Sequence, residues 1–161
     1  MVRVLSLIAG LAGGVVLSQF PEFSQQYLQR LGGQAEALAK VVAAFDASAT
    51  QAGLSREQAL GQIAGTGFLE AHQGDMRGVI TRAEHAQADY ALLRAAGPLE
   101  RLALPQRFRD GETLAATWAD FRPAVPVTPD GLICAAIGFL LGWAGLRGLA
   151  ALAFRPFRRT A

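Results

Sequence analysis

Apolar residues gather at the two ends of this chain, and a polar stretch with helical rhythm lies between them. Residues 4–20 read VLSLIAGLAGGVVLSQF, without a charge. A helix of that length spans about 25 Å, at the short end of what crosses a hydrocarbon core of about 30 Å. The second apolar run goes from about Leu132 to Phe154 and is interrupted by Arg147. Thr128 is placed to cap it, with Pro129 at the first helical position, where a missing N–H costs nothing. Arg147 lies about 27 Å along a helix from Pro129, near the far headgroups, where its stem can snorkel. The pattern predicts transmembrane helices over 4–20 and 129–154. A cleaved leader is the rival reading of the first. Arg3 is a weak basic start, however, and no A-x-A-like cleavage site follows, so the segment reads as an uncleaved anchor.

Between the apolar ends the spacing changes. From Leu28, apolar and small residues alternate at steps of three and four: Leu28, Leu31, Ala35, Leu38, Val42, Phe45, Ala49 and Ala52. That is a heptad seam. Gly53 ends it as a C′ glycine, and Ser55 with Gln58 three residues on forms a capping box for a second helix. Leu69, His72, Met76, Val79, Ala83, Ala86, Tyr90 and Leu93 repeat the rhythm up to Gly97-Pro98. The predicted fold is all-α: two transmembrane helices and, over 21–97, an antiparallel helical hairpin resembling a coiled coil. Its seam is built on Leu31, Leu38, Val42, Phe45, Val79 and Tyr90. Pro21 only weakens its junction, so the first helix is expected to continue as one rod from Val4 to Ala52. Glycines at 61, 65, 67, 74 and 78 predict irregularity around Gly65–Gly78.

Residues 98–128 return the chain to the membrane. Leu99, Leu102 and Phe108 suggest a short helix broken by Pro105. Asp110 caps another that places Leu114, Trp118 and Phe121 on one side, with Trp118 and Phe121 close to the membrane surface. Pro123, Pro126 and Pro129 then impose an extended linker.

Charge orients this arrangement. The chain has a net charge of +2, which implies no nucleic-acid partner. Residues 21–127 hold ten Lys and Arg against twelve Asp and Glu, while Arg3, Arg147, Arg155, Arg158 and Arg159 crowd the ends. By the positive-inside rule both termini face the cytoplasm, with 155–161 as a basic cytoplasmic tail, and the middle faces the periplasm of a bacterial inner membrane. One lysine against fourteen arginines fits a bacterium of high GC content. The single cysteine, Cys134, excludes a disulfide framework. Gly10-xxx-Gly14 and Gly138-xxx-Gly142 place small residues where transmembrane helices approach closely. The motif leaves open whether they pack within one copy or between copies.

Little in the chain suggests chemistry. His72 and His85 lie about 20 Å apart on one helix and cannot share a metal within a copy. His72 falls in the seam, where a polar residue sets register or oligomer state; a pH-sensitive or metal-bridging role between copies is the sharper alternative. The motifs H-E-x-x-H, C-x-x-C and Walker A are lacking. Arginines alternate with acids (Arg82/Glu84, Arg94/Glu100, Arg107/Asp110), which reads as a solvated charged face. No enzymatic activity, cofactor or metal is expected.

The stretch RVLSLIAGLAGGVVLSQFPEFSQQYLQRLGGQAEAL, Arg3–Leu38, resembles the bacterial family catalogued as domain of unknown function 2937, most specifically in QFPEFSQQYLQRLGG. GLSREQAL and GFLEAHQGDM are also similar. The resemblance implies a small two-span inner-membrane protein from proteobacteria and brings no catalytic residues with it. Gln25, Gln26, Gln29 and Arg30 form its most distinctive polar cluster, read as a hydrated helix face or a contact for a partner or lipid headgroup. The functional expectation is a structural or interaction protein in the lipid bilayer, self-assembling as a homo-oligomer or serving as accessory subunit of a membrane complex through its glycine-faced transmembrane helices and periplasmic coiled coil. The alternative is an envelope sensor, adaptor or transport-associated protein that passes a periplasmic signal to a separate partner.

Overall fold

The computed structural model describes residues 1–153, and the basic tail expected at 155–161 lies outside them. Among the described residues the fold is all-α and holds no strand. Its helices are α1 (Val2–Ser18), α2 (Phe20–Gln51), α3 (Arg56–Gln62), α4 (Gly67–Ala95), α5 (Gly111–Asp120) and α6 (Pro129–Ala153). The chain divides into two compact units. One comprises Met1–Gln26, Gly97–Ala103 and the chain from Thr117; the other comprises Tyr27–Ala96 and Leu104–Ala116.

The first unit is built on α1 and α6; the helical stretch Val2–Gln51, which α1 opens, and α6 are each long and apolar enough to cross a membrane. Their packing inverts that of a water-soluble pair. Ser6, Gly10, Gly14 and Ser18 of α1 are buried, as are Gly131, Cys134 and Gly138 of α6. Large apolar side chains point away: Val16 is 73% exposed and Leu141 66%, with Leu5, Ile8, Leu11, Leu132 and Leu140 beside them. Such a surface suits hydrocarbon, where small inward residues let backbones approach. The inward hydroxyls are satisfied within the helix, Ser6 donating to the Val2 carbonyl (2.8 Å) and Ser18 to that of Val15 (2.7 Å). Thr128 accepts from the Gly131 N–H (3.2 Å), the expected cap of α6.

The rod expected from Val4 to Ala52 is interrupted once, at Gln19. Pro21 has no N–H to return to the Leu17 carbonyl, so the ladder skips there. It resumes with Phe23 donating to Gln19 (2.9 Å).

The second unit has a core of Tyr27, Leu28, Leu31 and Ala35 from α2 with Ala86 and Leu93 from α4. Leu38, Tyr90, Leu104, Phe108 and Leu114 pack against it. α2 ends in a Schellman turn: Gly53 adopts φ +71°, and the Leu54 N–H reaches back to the Ala49 carbonyl (2.9 Å). Ser55 and Gln58 then form the capping box that opens α3.

Three expectations for the stretch between α2 and α5 change. The irregularity expected around Gly65–Gly78 is confined to 63–66, and α4 runs unbroken through Gly74 and Gly78. Thr66 caps α4 by accepting from the Leu69 N–H (3.3 Å), and Gln73 donates to the Leu60 carbonyl (2.6 Å) at the open end of α3. His72, placed in the seam by its spacing, is exposed and stacks on exposed Phe68. The buried stripe of α4 runs only from Ile80 to Leu93, so the rhythm outlasts the packing. Around Pro105 the chain makes two 3-10 turns, Glu100–Ala103 and Pro105–Arg107, in place of a short α-helix.

Candidate functional site

Two constructions stand out, one in each unit. In the first, the α1/α6 interface leaves no room for a side chain at its centre. A Cβ on Gly138 would overlap the Gly13 carbonyl, and one on Gly142 would overlap the Ala9 carbonyl. A Cβ on Gly10 would lie 2.8 Å from the Phe139 ring, and one on Gly14 would lie 3.0 Å from the Ala135 carbonyl oxygen. All four glycines of the two motifs therefore meet the opposite span of the same chain. Gly13, outside either motif, is as tightly packed: its Cβ would collide with the Gly138 carbonyl. Gly145 and Gly148 have open space around them.

In the second unit the acids and arginines converge, contrary to the solvated face expected from their alternation. Asp89 on α4 is 3% exposed. It accepts from Arg109 Nε (2.6 Å) and from Arg107 (3.2 Å). Arg82, two turns earlier, takes Asp110 with both faces of its fork (2.8 and 3.0 Å) and also reaches Glu112 (2.7 Å). Helical spacing puts Arg82 and Asp89 on one face of α4, and the turns around Pro105 deliver Arg107, Arg109 and Asp110 to it. Asp110 doubles as the N-cap of α5, accepting from the Thr113 N–H (2.9 Å). Thr113, itself buried, donates a short hydrogen bond to Gln34 of α2.

Electrostatics follows from these contacts. Burial would raise the Asp110 carboxyl, but the bonds from Arg82 and Thr113 outweigh it and leave it at about 2. The Arg82 guanidinium is raised in turn, chiefly by its bond to Asp110. Burial pushes the Tyr27 phenol up to about 12; its ring lies 4.8 Å from that of Phe108. Beside the network opens a cleft of about 390 Å³ lined by Arg77, Thr81, Arg82, His85, Asp89 and Arg109 among others. Its arginines are engaged: Arg77 pairs with Glu57 (2.9 Å), as Arg82 does with Asp110 and Arg109 with Asp89. No group of three or more His, Cys, Asp or Glu among the described residues could hold a metal ion.

A model of the family described as Protein of unknown function (DUF2937) matches residues 1–159. The chain belongs to this family. The match takes in both units, so the span pair and the charged network are parts of one family domain. No curated protein and no solved structure matches the chain.

The residues singled out in this DUF2937 chain are dispersed rather than gathered. Leu31 is buried, and Leu38, Val42, Phe45, Val79 and Tyr90 are half-buried. The Tyr90 ring closes over Gly32, where a Cβ would come within 2.7 Å. Gln25 accepts from Arg101 (3.1 Å), and Gln26 donates to Glu22 (2.9 Å). Gln29 and Arg30 are exposed. Arg101 is itself buried, which pushes its guanidinium down. Sequence reasoning missed Asp89, Arg101 and Gly13. A lone acid at the i+3 step from Ala86 on an otherwise apolar stripe was the available sign for Asp89.

Proposed function

We propose that this chain is an interaction protein of the bacterial inner membrane, anchored by α1 and α6, with its middle region in the periplasm as a helical hairpin that docks a partner. The observation that carries this reading is the closed span pair. Its glycine faces are consumed within the chain, so the anchor needs no second copy to complete it. Assembly, as a homo-oligomer or as accessory subunit of a membrane complex, then falls to the extramembrane surface, where Gln29, Arg30, Phe68 and His72 are exposed. In this reading the chain catalyses no reaction. One feature favours the alternative of a sensor or adaptor: the open cleft beside Arg82 and Asp89, which a small solute could enter.

The native mass of the complex in mild detergent, with co-purifying chains identified, tests the proposal. A dimer or larger assembly, or a stoichiometric partner, is expected; a monomer alone would overturn it. Topology is read separately in a Cys134→Ala background. A cysteine at position 48 should react with an impermeant reagent in intact cells, and one at position 160 only after permeabilisation.

A further inference from the structure

The last turn of α5 and the strap that leads from it to α6 carry three outward apolar side chains in a short space. Trp118 is 72% exposed, Val125 81% and Val127 80%. All three belong to the unit that holds the spans. The strap is fixed to the span ends. The Ala124 N–H donates to Gln19 (3.0 Å), the residue that closes α1. Pro126 sits against Gly131 in the first turn of α6, where a Cβ would come within 2.9 Å. Phe23, just past α1, meets Trp118 and Phe121 edge-on at 5.9 and 5.5 Å. The exposed trio thus adjoins the level at which both spans leave the hydrocarbon. Asp120 and Arg122, both exposed, alternate with it along the chain.

Apolar side chains at that level, interleaved with charged ones and led by a tryptophan, match the headgroup–acyl boundary, where an indole buries its ring and keeps its N–H wet. We infer that residues 118–127 form a third membrane contact, lying in the interface plane with Trp118, Val125 and Val127 inserted among the lipids. The occupant of this face is the bilayer rather than a protein, because the strap is tied to the ends of both apolar helices, at Gln19 and at Gly131. The inference rests on the two-span reading above and adds an element that touches the membrane without crossing it.

The chain has only two tryptophans, which makes the test direct. Trp143→Phe leaves Trp118 as sole emitter, and Trp118→Phe leaves Trp143 within α6. Each full-length variant is placed in phosphatidylcholine vesicles whose acyl chains carry bromine either near the headgroup or deep in the core. Trp118 should be quenched at least about twofold more strongly by shallow than by deep bromine, as an interfacial ring requires. Val125→Asp with Val127→Asp, in the Trp143→Phe background, should cut that shallow quenching by about half. The same pair in the Trp118→Phe background should leave Trp143 quenching unchanged, which shows that the fold survives. If lipid bromine quenches Trp143 but not Trp118, the interfacial contact is wrong and the two-span reading stands. Acrylamide access to Trp118 would then tell water from a covering protein. If neither tryptophan is quenched, the two-span reading falls as well.

Discussion

At the residue scale, space and charge each isolate one decisive position. Gly138 has the Gly13 carbonyl where its Cβ would be, and backbone cannot move aside as a side-chain tip can. Gly138→Leu should therefore destabilise the protein by about 2–3 kcal/mol, the upper part of the range for overpacking. Gly145→Leu, facing open space, should stay within about 0.5 kcal/mol. Thermal unfolding in one detergent compares the two, and equal losses would remove the close approach as the cause. Asp110 makes the electrostatic case. Its carboxyl is held at about 2, against an ordinary 3.8. A depressed acid stabilises the fold above its unfolded value, and the contribution disappears as pH falls through the folded one. Here that window runs from about pH 4 to pH 2 and is worth about 2 kcal/mol for this largely buried carboxyl. Acid titration followed by circular dichroism should show wild type losing that margin across the window, while Asp110→Asn, which lacks it at neutral pH, shows a flatter decline.

At the scale of elements, the turns around Pro105 and the start of α5 are tied to α4 by charge as well as by apolar contact. Asp89 is the centre of that tie, buried under two guanidinium groups that are themselves partly exposed. Asp89→Asn would leave Arg107 and Arg109 facing a neutral amide. The fully buried analogue costs about 3–5 kcal/mol; partial exposure of the arginines lowers the expectation to about 2. Hydrogen exchange should rise first in 104–116, and unchanged protection there would mean that Leu104, Phe108 and Leu114 hold the segment alone. These elements also show what was legible in the chain and what was not. Caps and stops were local and could be read: Gly53, Ser55 with Gln58, Asp110 and Thr128 act where the sequence puts them. The apolar spans were legible for the same reason, since a run of seventeen residues without a charge, 4–20, needs no tertiary information. The charged network was not, because alternating arginines and acids look alike whether solvated or folded inward. What draws Arg107, Arg109 and Asp110 onto α4 is the 3-10 path around Pro105, and helical periodicity carries no trace of it. His72 failed in the opposite sense: its periodicity was right, but it lies beyond the stretch of α4 that is covered.

At the scale of the whole molecule, the two units rest on different physics. The span pair is held by close backbone approach, and the middle unit by a small apolar core and ion pairs. They share the helix α2, in which Gln26 and Tyr27 are consecutive residues of separate units. If each unit supports itself, changes in separate cores should act independently. Gly138→Leu strains the first, and Asp89→Asn loosens the second. Distant sites without shared partners add to within about 0.5 kcal/mol, so the double variant should lose the sum of the single losses to that accuracy. Hydrogen exchange by segment should agree: Gly138→Leu should raise exchange in α1 and α6 and spare 80–93, and Asp89→Asn should do the reverse. A coupling above about 1 kcal/mol, or exchange rising throughout in either variant, would mean that α2 transmits strain and the molecule unfolds as one. That outcome would also bear on the proposed alternative role, since a signal bound in the cleft could then reach the membrane through α2. Additivity would favour the proposed docking at the extramembrane surface over that alternative.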